Sequence, residues 1–361
     1  MSTQIFATFG PSCGQKETLK NMIEEGMTGM RLNLSHTTLS ASEGYIGAYQ
    51  VAAKECGVEP QILIDMQGPE LRVGDLEEPL ELCEGEMVLL TRSEGEGYTE
   101  ACNEGDDCTE EVAGKKVIVP FVVVNYTQSG DVILLDDGKL ELEVSKIRQV
   151  TNLTQGEGVL VGTSTLYAKV LRGGILKSRK SIKIKGRQIP MPVLTEHDIA
   201  NIKEAKAYGV TALMQPFVLC GEDLRQVREV LKEHGGEDIR IFAKIENRIG
   251  VERLDDILPE ADVIVIARGD LGNDMPLWEL PAVQKQIENK CKEYNKPYIV
   301  VTQMLASMEE HPIPTRAEVS DIFHAVYHGA WGVMITGETA IGKYPVEAVR
   351  YLARTADSAV F

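Results

Sequence analysis

The sequence predicts an α/β protein: a closed (β/α)8 TIM barrel with a small, β-barrel-like lid domain inserted after the third strand. Three observations predict it. Short apolar runs, each followed by a helical pattern, recur from one end of the chain to the other. The rhythm breaks once, over about residues 70–190, where short alternating strands with Gly and Asp turns take over. With that interruption skipped, eight strand–helix units remain, the number that closes a barrel.

The elements follow in order. IFATFG precedes the helix-like KETLKNMIEEG, GMRLNLS precedes SASEGYIGAYQVAAKECG, and QILIDM ends at the turn QGPE. The insertion then supplies LELCEGEMVLL, KKVIVPF, DVILLDDGKLELEVSKI and GVLVGTS as strands, with the acidic loop EGEGYTEACNEGDDCTEE carrying no assigned chemistry. The barrel rhythm resumes near residue 195 with TEHDIANIKEAKAYG, ALMQPF and EDLRQVREVLKEHG, then RIFAKIE, VIVIAR, PYIVVTQ and GVMITG, each trailed by an amphipathic segment. Helix starts are expected at Ser40 with Glu43, Thr195 with Asp198 and Thr315 with Glu318, each spaced as a capping pair. The expected domains are 1–69 and 191–361 for the barrel and 70–190 for the insertion.

Composition excludes several classes of function. A formal net charge of −18 argues against nonspecific binding to nucleic acid or an anionic membrane. The longest apolar runs, such as VIVIA and FVVV, are far too short to span a bilayer as a helix. MSTQIFATFG lacks the basic region and apolar core of a secretory signal. Seven cysteines are scattered without a C-x-x-C pair, and Cys102 and Cys108 lack the partners of a zinc site. Free thiols and a cytoplasmic location are expected.

FAKIENRIG, residues 242–250, places Lys244 and Glu246 inside an otherwise apolar strand. Alternation sends Ile241, Ala243 and Ile245 to one face and the two charges to the other. An unpaired buried charge is costly, so that face must meet something polar. In such barrels the active site lies at the C-terminal strand ends, and there the chain offers Arg31, Asn33, Ser35, Asp65, Arg268, Asp270, Thr302, Thr336 and Glu338. Two carboxylates suit magnesium, a lysine beside them neutralises charge on a transferring phosphoryl group, and Arg31 and Arg72 can fork onto an anion. The plainer alternative is an internal Lys244–Glu246 ion pair that stabilises the barrel.

The motifs TFGPS, MRLNLSH, DMQGPELR, FAKIENRIG, IARGDLG, VTQMLASM, PIPTRAEVSD and MITGETAIGKYP together resemble the pyruvate kinase family over almost the whole chain. The resemblance implies a (β/α)8 domain with a β-rich lid after the third strand, and phosphoryl transfer between phosphoenolpyruvate and ADP to give pyruvate and ATP in glycolysis. It also implies roles residue by residue. Lys244 would touch the transferring phosphoryl group, while Glu246 and Asp270 would hold magnesium or manganese. Ala267, Arg268 and Gly269 would belong to the turn that holds the substrate carboxylate. Thr302 would lie beside the enolate, with Thr336, in place of the usual serine, nearby. Asn33, Ser35, Asp65 and the main-chain carbonyl of Met66 would hold potassium, and Glu70 stands where glutamate accompanies potassium dependence. Arg31, Asn33, His36 and Arg72 would line the nucleotide and phosphate region, with Lys180 and Asp137 contributed by the lid.

The sequence departs from the family pattern at Thr37 (usually glycine), Met66 (threonine), Gln67 (lysine) and SIKIKGRQIP, which replaces an apolar return segment. Lid closure and nucleotide choice are the properties these departures touch. Other assignments stay open on the residues alone. His36 can be a helix-start residue and Thr336 a turn hydrogen-bonder, and Arg179, Lys183 and Lys185 compete with Lys180. Two other readings compete: a catalytically weak relative that binds phosphoenolpyruvate or nucleotide as a sensor, and a metal-dependent pyruvate-enolate lyase. The resemblance ends at EAVRYLARTADSAVF, before the C-terminal domain of many family members. On that basis no response to fructose 1,6-bisphosphate is expected, with assembly as a homodimer through barrel surfaces.

Overall fold

The computed structural model describes residues 2–35, 37–92, 115–151, 162–187 and 189–360. His36, and the whole acidic loop of the insertion with Cys102 and Cys108, lie outside the described residues. The chain divides into two compact units, Met1–Pro69 with Pro192–Phe361, and Glu70–Met191.

The first unit is a closed barrel of eight parallel strands in sequential order: β1 (Gln4–Thr8), β2 (Gly29–Asn33), β3 (Gln61–Asp65), β4 (Ala212–Gln215), β5 (Arg240–Ile245), β6 (Val263–Ala267), β7 (Tyr298–Val301) and β8 (Gly332–Met334). Both strand faces are buried, which is why a run such as VIVIA needs no polar positions. Ile241, Ala243 and Ile245 pack outward against the helices with Ile264, Ile266 and Val300. Phe6, Leu63, Met214, Phe242, Val265 and Met334 fill the interior. At the N-terminal end Phe6 and Phe242 meet edge to face at 6.4 Å, and Trp331 tilts against both.

Helices follow the strands as the sequence predicts, with one revision at a start. Thr195 and Thr315 form capping boxes with Asp198 and Glu318. Ser40 does not: it opens a short 3-10 turn, its hydroxyl meets Thr38 at 3.0 Å, and the helix Glu43–Glu55 begins only afterwards. The tight turn uses the residues that would otherwise have formed the cap.

The second unit carries a six-stranded sheet in the order Ile182–Ile184, Val132–Leu135, Leu140–Thr151, Gly162–Arg172, Met87–Arg92 and Lys115–Val119. A two-stranded ribbon pairs Leu80–Leu82 with Gly174–Leu176. The hairpin between Leu135 and Leu140 turns at Asp136, Asp137 and Gly138, all with positive φ. The segment FVVVNY forms a short helix, Phe121–Tyr126, despite the strand preference of its three valines. Pro120 stands at its N-cap, and burial of Val123 and Val124 in the unit's core outweighs local propensity. The five cysteines among the described residues are free thiols. None of the described helices is long and apolar enough to cross a membrane.

Candidate active site

The C-terminal ends of β1, β2, β3 and β5 bring a charged cluster together. On β5 the inward residues run Phe242, Lys244, then Glu246 just past the strand. Lys244 Nζ lies 2.7 Å from Glu246 Oε1 and 3.3 Å from Asp65 Oδ1. Neither of those oxygens has a hydrogen-bond donor properly aimed at it, so both are ion-paired yet retain accepting capacity. The other oxygen of Glu246 accepts from the Phe217 backbone N–H at 2.9 Å, which fixes the carboxylate from β4's side. Arg31 forks onto Asp65 Oδ2 through Nε (2.8 Å) and Nη2 (2.7 Å), and its Nη1 donates to the Thr8 hydroxyl at 3.2 Å.

Burial shapes the electrostatics. Desolvation alone would push the Lys244 ammonium toward neutrality, but Asp65, Glu246 and Asp270 overcome it and raise its pKa above the lysine range. Desolvation alone would raise Asp65, but Lys244 and Arg31 overcome it and hold that carboxyl below its usual value. Across neutral pH Lys244 is therefore a fixed positive charge rather than a base. The Lys244–Glu246 pair of the plainer reading is present, but it belongs to a larger cluster at the C-terminal end of the barrel, the end at which active sites of such barrels lie.

The turn after β6 is held to that after β7. Thr302 has φ +72 and Gln303 φ +54, left-handed conformations that cost energy, above all for a β-branched residue. Gly269 N–H donates to the Thr302 hydroxyl at 2.8 Å, and that hydroxyl donates to the Val301 carbonyl at 2.5 Å. The Arg268 side chain turns away to Asp321 (2.6 Å) and the Thr302 carbonyl (2.7 Å), so it clamps the two turns together. Asp270 stands in the first turn of the helix Arg268–Asp274. Glu338 is buried and accepts from the backbone N–H groups of Leu305 and Thr336. Thr336 places its hydroxyl 3.5 Å from the same carboxylate.

Asn33 and Asp65 are register partners on β2 and β3. Asn33 Oδ1 accepts from the Ser35 N–H at 3.1 Å, and Leu34 N–H donates to the Asp65 carbonyl at 2.9 Å. Met66 is buried immediately beyond. The four proposed potassium ligands thus occupy adjoining strand ends.

Within the second unit Arg72, Asp137 and Lys180 fall in one place. Arg72 forks onto Glu70 (2.7 and 3.0 Å) and donates to the Arg179 carbonyl. Lys180 pairs with Asp136 at 2.8 Å rather than with Asp137, whose carboxylate instead accepts from the Ser181 hydroxyl at 2.7 Å. Of the competing cations, Arg179 pairs with Asp75 and Lys185 lies 3.8 Å from Glu141.

Two contributions escape the sequence reading. Asp65, assigned there to potassium alone, is the common partner of two partly buried cations, Arg31 and Lys244. Thr8, unassigned, receives Arg31 and in turn donates to the Ile335 carbonyl at 3.0 Å. The alternation Phe6, Thr8 on one face is the signal that identifies it as inward-facing.

A family model described as the pyruvate kinase barrel domain matches residues 1–349. The chain is 37% identical to pyruvate kinase of Geobacillus stearothermophilus over 98% of its own length and 56% of that protein. It is 36% identical to pyruvate kinase of Bacillus licheniformis over 96% of its own length and 55% of that protein. It is 34% identical to pyruvate kinase of Chlamydia pneumoniae over 97% of its own length and 67% of that protein. The chain thus spans about half the length of the first two relatives and about two thirds of the third. The barrel, its charged mouth and these matches lead to one conclusion: the chain belongs to the pyruvate kinase family.

Proposed function

We propose that the chain transfers a phosphoryl group between phosphoenolpyruvate and ADP, yielding pyruvate and ATP. The observation that carries this reading is the Lys244 ammonium, buried and kept charged by carboxylates at the C-terminal end of the barrel. Held in place before substrate arrives, it stabilises charge on the phosphoryl oxygens without reorganising at the moment of transfer. Arg31 adds a second positive charge. Ala267, Arg268, Gly269 and Asp270 form the turn that takes the substrate carboxylate. A carboxylate on the Gly269 N–H takes the place of the Thr302 hydroxyl, which then turns to the enolate as the group nearest the protonation step. Thr336 supplies a further hydroxyl in that neighbourhood.

Glu246 and Asp270 would hold magnesium or manganese. Glu246 Oε1, buried without an aligned donor, fits a hard cation. When bound, the ion neutralises charge on substrate oxygens. Asn33, Ser35, Asp65 and the Met66 carbonyl, an all-oxygen set on adjoining strand ends, would hold potassium; Asp65 Oδ1 likewise lacks an aligned donor. The nucleotide and its phosphates are assigned to Asn33, His36, Arg72, Lys180 and Asp137. Assembly as a homodimer through barrel surfaces is supported by the exposed Leu277 and Trp278. We assign the protein to the cytoplasm, where its free thiols would stay reduced.

The test is pyruvate formation from phosphoenolpyruvate with ADP and other nucleoside diphosphates, under magnesium and potassium titration. Turnover that requires both a diphosphate and magnesium is expected. Binding of phosphoenolpyruvate without turnover on any diphosphate would replace this reading with the sensor reading.

A further inference from the structure

One helix outside the catalytic cluster touches both loops that carry the proposed potassium ligands. Asp198, in the first turn of Glu196–Ala205, is fully buried. Its Oδ2 accepts from the Thr195 N–H (2.8 Å) and hydroxyl (2.7 Å), which satisfies the helix cap. Its Oδ1 is not needed for capping and reaches another element: it accepts from the backbone N–H groups of Gln67 (3.0 Å) and Gly68 (3.3 Å), just beyond Asp65 and Met66. Gly68 has φ +62, and a side chain there would strike Pro216, so this loop has little room to take another path.

The same helix holds the loop after β2. His197 Nε2 lies 3.0 Å from the Leu34 carbonyl, between Asn33 and Ser35, and since a carbonyl only accepts, this nitrogen carries the proton. Buried Asn201 accepts from the Leu39 N–H at 2.9 Å, and its amide donates to the His197 carbonyl at 2.8 Å. One rigid element therefore sets the positions of Asn33, Ser35, Asp65 and Met66 relative to one another.

We propose that Asp198, His197 and Asn201 are positioning residues for the monovalent cation: the helix fixes the spacing of the two ligand-bearing loops. The inference rests on the potassium reading given above. It concerns cation affinity rather than the reacting groups, because none of the three touches Lys244, Glu246 or Asp270 through any of these hydrogen bonds.

The experiment titrates potassium against tetramethylammonium at constant ionic strength, reading both pyruvate formation and melting temperature, for the native chain, Asp198→Asn and His197→Ala. Both readouts of the native chain should respond to potassium. Asp198→Asn should raise the potassium midpoint in both by about tenfold or more, the usual effect of losing an outer-shell support. Its turnover at saturating potassium and its KM for phosphoenolpyruvate should stay within about twofold. His197→Ala, at a partly exposed position, should shift the midpoint less in the same direction, and it decides the matter if Asp198→Asn does not fold. Unchanged midpoints beside a responsive native chain would overturn the proposal alone, as would lost turnover at an unchanged midpoint. A native chain indifferent to potassium in both readouts would overturn the potassium reading and this proposal with it.

Discussion

Phe242 and Lys244 stand two residues apart on the same inward face of β5, in adjacent layers, the first toward the N-terminal end of the barrel and the second toward the C-terminal end. At the N-terminal end Phe6, Phe242 and Trp331 pack ring against ring. Arg240 lies over the Phe242 and Trp331 rings at 5.3 and 5.5 Å, and burial lowers its pKa against the opposing pull of Asp262. At the C-terminal end the interior is ionic: Arg31 pairs with Asp65, and Lys244 pairs with both Asp65 and Glu246. The same alternation builds both ends, so the strand pattern cannot be what makes one of them a site. What differs is whether buried charge meets rings or opposite charge, and only opposite charges leave groups able to act on a substrate.

Substitutions at the two ends should separate these roles. The largest effect is expected from Lys244→Met. Turnover should fall about a hundredfold or more, with far less change in substrate affinity, because a donor acting on the transition state is lost. Stability should fall too, by up to about 3–5 kcal/mol, because Glu246 and Asp65 lose a buried counter-charge. A folded variant with near-native turnover would leave the cluster a purely structural ion pair. Next comes Phe242→Ala, where a cavity in the interior should cost about 3–5 kcal/mol in denaturant unfolding. Its turnover per folded molecule should match the native chain; a hundredfold loss there would erase the distinction between the ends. The smallest effect is expected from Arg240→Met, about 1 kcal/mol of stability, the range of a cation–π contact, with kinetics unchanged. A loss as large as that of Phe242→Ala would mean that the charge, rather than the rings, holds the N-terminal end.

The outline of this fold is legible in the sequence because it depends on local periodicity. Eight apolar runs with trailing helical patterns, and one interruption after QILIDM, carry the barrel and its insertion without reference to distant contacts. Lys244 and Glu246 stand out for the same reason: a charge at an inward strand position is costly and so conspicuous. Where local signals compete, tertiary context decides. FVVVNY becomes a helix behind Pro120, and Ser40 forms a tight turn instead of a cap.

By itself the sequence determined which residues face the barrel interior and which strand ends carry charge, since both follow from a side-chain period of two. Only the tertiary structure decided the pairings. Asp65 as the shared partner of Arg31 and Lys244, Arg268 turned to Asp321, Lys180 on Asp136 rather than Asp137, and Asp198 on the loop after β3 all join residues brought close by chain closure or by a turn. Partner choice depends on distances of a few ångströms between elements that periodicity places only to the nearest face. Coulombic and hydrogen-bond energies change steeply over just those distances.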